Sequence, residues 1–181
     1  YQLYRAVELL AKLADDGGKP AREALLDLLE KTKPDPKRSE KLIEAVVSSA
    51  KPGAENIKAL LGHYLAIERP SFALMEVFRP FEAKAIEQFL LAADTADRKK
   101  QACIAPVLSR FSVEATVPLS KALTSDNASR RAVASSALMG YSTISPKAVG
   151  PLRKALASKY PGSSTRCGPS PRHRRARPPG R

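Results

Sequence analysis

The 181-residue chain has no tryptophan and only five phenylalanines and five tyrosines. Ligand cages and base-stacking platforms, which need large aromatic anchors, are therefore not expected. Two cysteines, Cys103 in an apolar periodic segment and Cys167 in a Pro/Gly/Arg-rich stretch, cannot assemble a disulfide framework or a cysteine-based zinc site. A reducing, cytoplasmic setting is the simpler expectation. The longest apolar runs fall far short of the ~18 residues that span a bilayer. Tyr1 is followed by no basic-then-apolar leader, so the chain reads as a soluble fragment or a mature chain, with no membrane role.

Catalytic inventory is equally thin. His63 and His173 are the only histidines, and neither has a partner at metal-ligand spacing. His63, beside Leu61 and Tyr64, reads as a surface or satisfied interior residue. Cys103 reads as a buried structural thiol. Gly17-Gly18 follows a helical stripe and lacks the further glycines and Lys-Ser/Thr pair of a phosphate loop, so it reads as a helix terminator. The acidic pairs Asp15-Asp16, Glu40 with Glu44, and Asp94 with Asp97 fall at helix ends or on solvent-facing turns, where caps and dipole partners are expected. No catalytic residue, cofactor, metal or small-molecule substrate is inferred.

Positive charge is abundant and unevenly placed. The formal net charge is +13: residues 1–93 are neutral, 94–161 carry +7, and 162–181 carry +6. Such asymmetry speaks to partners rather than to fold, and it points the C-terminal half toward something acidic. Residues 162–181 contain six Arg, no acid and no aliphatic residue larger than Ala. They cannot pack a core and are expected to be disordered, as an incidental terminus, a linker or a basic arm.

Apolar positions recur with a period near 3.6 almost throughout, which predicts an all-α fold. Leu3, Val7, Leu10 and Leu13 form a first stripe. Pro20 opens a second helix, with Ala21, Ala24, Leu25, Leu28 and Leu29 inward. After the Lys33-Pro34-Asp35-Pro36 hinge, Ser39 is a candidate cap for a third helix that buries Leu42, Ile43, Val46 and Val47 and ends at Pro52-Gly53. A fourth runs through Ile57, Leu60, Leu61, Tyr64 and Leu65. A short fifth around Phe72, Met75 and Phe78 lies between Pro70 and Pro80, and a sixth carries Ile86, Phe89 and Leu90. Stripes at Ile104/Val107/Leu108/Phe111, Val117/Leu119/Leu123, Val133/Ala137/Leu138/Tyr141 and Val149/Leu152/Leu156 complete ten helices, or five hairpins. Asp97, Asp126 and Ser145 are the expected caps of the seventh, ninth and tenth.

Pro118-Leu119-Ser120-Lys121-Ala122-Leu123 returns as Pro151-Leu152-Arg153-Lys154-Ala155-Leu156, five identities in six at a spacing of 33. Ile86 and Leu90 lie one further period back. Arg98, Ala102 and Ala105 are echoed by Arg130, Ala134 and Ala137 at 32, with the alanines expected where helices cross closely. With Asp126 and Arg130-Arg131, these residues resemble HEAT-type repeats, specifically over 97–158 and only architecturally over 1–96. The resemblance implies an α-solenoid of about five stacked helical hairpins, over residues 1–161, that binds other macromolecules, usually proteins. It also implies a scaffold rather than an enzyme, and a piece of a longer array.

The remaining functional candidates are basic. Arg98, Lys99, Lys100, Arg130 and Arg131 fall near the starts of two first helices one repeat apart, and Lys121 and Lys154 recur on the second helices. They are expected to form a partner-binding edge for a protein with an acidic surface, with nucleic acid as the alternative. In the bland alternative they solvate helix surfaces, or pair with Asp97 or Asp126.

Overall fold

The computed structural model describes residues 2–159, with side chains from 5 to 158; the stretch at 162–181 and the side chain of Leu3 lie outside the described residues. Every element is helical: α1 (Gln2–Asp15), α2 (Lys19–Lys31), α3 (Ser39–Ala45), α4 (Ile57–Tyr64), α5 (Phe72–Glu76), α6 (Glu82–Ala93), α7 (Arg98–Leu108), α8 (Thr116–Ala122), α9 (Ala128–Met139) and α10 (Val149–Lys159). A π-helical turn, Val46–Ala50, extends α3, and 3-10 turns lead into α4, α6, α8 and α10. No strand occurs among the described residues.

Helix ends follow local chemistry. α1 stops because Gly17 takes a φ of +91°, which only glycine adopts cheaply. Gly18 N–H then reaches Leu13 O at 3.0 Å and Gly17 N–H reaches Ala14 O at 3.2 Å, the double closure of a left-handed helix cap. Asp97 caps α7 as expected, its Oδ1 accepting from Lys100 N–H at 2.9 Å.

Three expected caps are corrected. Asp35, set between two prolines, accepts from the N–H groups of Lys37 and Arg38 at 3.0 and 3.1 Å. The chain has therefore turned before Ser39, which becomes the first residue inside α3. Asn127, not Asp126, caps α9: its Oδ1 accepts from Ser129 and Arg130 N–H while its Nδ2 donates to Asp94 O at 3.2 Å. Only an amide both accepts and donates in this way. Ser145 stands at the cap position before Pro146 as expected, but its hydroxyl binds no amide of its own helix; its N–H donates to Thr116 Oγ1 at 3.1 Å, one hairpin back.

Packing is local in sequence. The odd-numbered helices touch in series, α1 to α3, α3 to α5, α5 to α7 and α7 to α9. Among the even-numbered ones α2 meets α4, α4 meets α6 and α8 meets α10, while α6 meets the turn that precedes α8. At the centre Tyr64, Phe78 and Phe89 pack edge-to-face, with ring centroids 4.9–6.0 Å apart, a geometry favoured by the ring quadrupoles. The Tyr64 hydroxyl donates to Cys103 O at 3.2 Å, tying α4 to α7.

The 33-residue repeat holds for α6, α8 and α10. Ile86 and Leu119 are buried and Leu152 is partly so; at the other repeated position Leu90 is buried, Leu123 half-buried and Leu156, on the last described helix, 62% exposed. The 32-residue echo is corrected. Burial aligns α7 with α9 at 30: Ile104 with Ala134, Val107 with Ala137, Leu108 with Leu138. The caps Asp97 and Asn127 keep the same spacing. Arg98 and Arg130 are thus not equivalent, and Ala102 is exposed while Ala134 is buried. Three extra residues between Tyr141 and Ser145 restore the longer period. Other stripe members also face out. Leu13, Phe72 and Val149 are at least half exposed; Ala14 takes the inner place on α1, and Phe72 lies under the Arg110 guanidinium at 3.6 Å.

Candidate functional site

α5 is five residues long because Pro70 and Pro80 bracket it, so the row α3–α5–α7 has a short middle member. What it fails to cover is a groove of about 700 Å³. One wall is the α4–α5 loop, from Leu65 to Pro70; the other is the start of α7, with Lys99, Lys100, Ala102 and Cys103; Met75 and Pro36 contribute the rest. The lining is mainly aliphatic and contains no aromatic ring. Arg69, Lys99 and Lys100 are exposed at the groove, against Glu68 and Asp97. The Asp97 carboxylate is engaged on the Lys100 amide. Cys103 is half-buried in the wall, not sealed in the core, and burial together with the Asp97 charge pushes its thiol pKa up.

Lys99 and Lys100 are thus brought together at one groove, with Arg69 beside them. Arg69 carried no signal in the repeat comparison, since it sits in a loop. Arg98 is exposed at the first position of α7. Arg130 faces inward: Nε donates to Asp94 Oδ1 at 2.8 Å and Nη2 to Asp94 Oδ2, a two-pronged pair in which each side chain is 27% exposed. Its acid is Asp94, the residue that ends α6, and neither Asp97 nor Asp126. Arg131 donates to Ser125 O and Asp126 O at 2.7 and 2.8 Å, closing the loop after α8. Lys121 and Lys154 are exposed on α8 and α10 and do not line the groove.

One pair resembles a nucleophile and base. Ser39 Oγ lies 2.8 Å from His63 Nδ1, and His63 Nε2 lies 2.9 Å from Leu29 O. Leu29 O can only accept, so Nε2 carries the hydrogen and Nδ1 accepts from Ser39. Ser39 Oγ in turn accepts from Asp35 N–H at 3.1 Å. The chain of bonds is closed, and Ser39 and His63 are 0% and 2% exposed, so no substrate reaches the hydroxyl. Burial lowers the His63 pKa, against smaller raising contributions from the Leu29 and Thr32 carbonyls. The pair pins the hinge, α2, α3 and α4 together. The sequence left His63 as either a surface or a satisfied interior residue, and its partners, 24 and 34 residues away, carried no signal there.

Among the described residues, no group of three or more His, Cys, Asp or Glu is placed to hold a metal ion, and no helix is long and apolar enough to cross a membrane. No protein-family model matches the chain, and neither the curated proteins nor the solved structures give a match.

Proposed function

We propose that the chain is a non-enzymatic helical-repeat scaffold, a HEAT-like α-solenoid of about five hairpins that mediates protein–protein interaction. The observation that carries this reading is the serial contact of the odd-numbered helices, α1 to α3 to α5 to α7 to α9, flanked by α2 on α4, α4 on α6 and α8 on α10. Nearest-neighbour stacking of this kind builds an extended surface instead of a closed core. The groove beside α5 interrupts that surface with apolar side chains and uncommitted cations, the composition of a peptide-docking site. The +7 of residues 94–161 favours a second reading, nucleic-acid binding.

Selection of an unbiased displayed peptide library on the full chain, followed by titration with duplex DNA and single-stranded RNA across salt, separates the two. The scaffold reading expects saturable peptide binders and no nucleic-acid complex at physiological salt. Tight DNA or RNA binding that collapses steeply as salt rises would replace it with the second reading.

A further inference from the structure

We infer that the groove between the α4–α5 loop and the start of α7 is the docking site for a short acidic segment of a partner protein that carries an aliphatic anchor. The inference rests on the scaffold reading and names the partner chemistry of its site.

Three observations converge on that occupant. First, the walls are largely aliphatic: Leu65, Ile67, Met75 and Ala102 offer contact area without any fixed polar constellation of the kind that orients a small metabolite. Second, the rim is basic. Arg69, Lys99 and Lys100 stand exposed around the groove with no ion pair, whereas Arg130, one repeat on, is committed to Asp94. Against these three cations stand two carboxylates, Glu68 and Asp97, so the lining keeps a net positive charge of one. Carboxylates on a ligand complement it, and such rim charges set register and association rate more than raw affinity. Third, no aromatic ring lines the groove, which removes the stacking surface on which single-stranded nucleic acid depends. The chain's own residues 162–181, with six Arg and no acid, have the wrong charge to occupy it.

The test uses the full chain and fluorescein-labelled 12-residue peptides, read by anisotropy. One peptide has two central leucines flanked by Asp and Glu, one replaces its acids by Lys, and one replaces its leucines by Ser. Oligo-dT of similar length is a further probe. The acidic leucine peptide is expected to bind at least tenfold tighter than the other two peptides. Lys99→Glu/Lys100→Glu should weaken it tenfold or more, and so should Ala102→Trp, which fills the groove from an exposed position. Arg153→Glu/Lys154→Glu on α10, outside the groove, should leave it unchanged; far-UV circular dichroism verifies that each variant is folded. Equal affinity for the acidic and basic peptides, or indifference to both groove variants, overturns the inference. So does oligo-dT binding with the same variant sensitivity, which would make the groove a nucleic-acid site. If library-selected peptides bind but ignore the groove variants, this site is wrong while the scaffold reading stands. If no peptide of any composition binds, both fall.

Discussion

Leu119→Ala and Leu152→Ala make a matched pair, because the two leucines hold the same place in a repeated hexapeptide yet differ in what covers them. Leu119 is 0% exposed, on a helix that touches both α9 and α10. Leu152 is partly buried, on the last described helix. Leu→Ala deletes three carbons, roughly 2.4 kcal/mol of transfer free energy at about 0.8 kcal/mol per buried CH₂. At Leu119 a cavity term adds to this, because packed neighbours on both sides cannot close the hole, giving about 4 kcal/mol. At Leu152 part of the side chain is already wet and water fills the space, leaving about 1–2 kcal/mol. In urea, with a slope near 2 kcal/mol/M, the midpoints should fall by about 2 M and by less than about 1 M. Far-UV circular dichroism reads the transition, and hydrogen exchange locates it: Leu152→Ala should loosen α10 alone, Leu119→Ala also α8 and α9. Equal midpoint shifts, or a larger one for Leu152→Ala, would refute this assignment of interior and end.

His63 supplies a pH prediction. Its pKa is lowered by burial from the ordinary 6.5, so the unfolded chain takes up the proton first as pH falls. The stability it confers is complete above that value and declines below it until the folded pKa is passed. The urea midpoint should therefore drop between pH 7 and 5 more steeply in the native chain than in His63→Gln, and parallel slopes would dismiss the buried neutral imidazole. The Asp94–Arg130 pair, two-pronged and part-buried, should show a coupling energy of about 1–2 kcal/mol in a double-mutant cycle with Ala; additive single effects would demote it to a surface contact. In the aromatic cluster Phe89→Ala should cost about 3–5 kcal/mol. Tyr64→Phe should lose only the bond to Cys103 O, about 1 kcal/mol, and a reversal of that order would displace the cluster from the core.

Helices were legible wherever punctuation was covalent. Proline at 52, 70 and 80 fixes its own φ and removes an N–H, and Gly17 opens a positive φ, whatever surrounds them, and each boundary lies where they put it. Caps were less legible, since Asp35, Ser39, Asp126 and Asn127 all carry suitable oxygens and the choice depends on distant groups: Asn127 wins because Asp94 O offers its amide a second partner. The repeat was read through identities, which align α8 with α10 but mislead for α7 and α9. There Arg and Ala recur at 32 while burial recurs at 30, and the three residues inserted after Tyr141 have no local signature. The groove was half legible. Lys99 and Lys100 stood out as a cationic pair, but the space beside them exists only because α5 is short, and Arg69 joins them only across that space.

The proposed open stacking of hairpins is measured by one distance. In a Cys103→Ala/Cys167→Ser background, spin labels are placed at Ala6 on α1 and Ala132 on α9, both exposed, and their separation is read by pulsed dipolar spectroscopy. Four successive helix-on-helix steps of about 8–10 Å separate α1 from α9, so an open stack gives a distribution centred at roughly 30–40 Å. A centre below about 20 Å would place the first and last hairpins against each other, in a closed bundle, and contradict it.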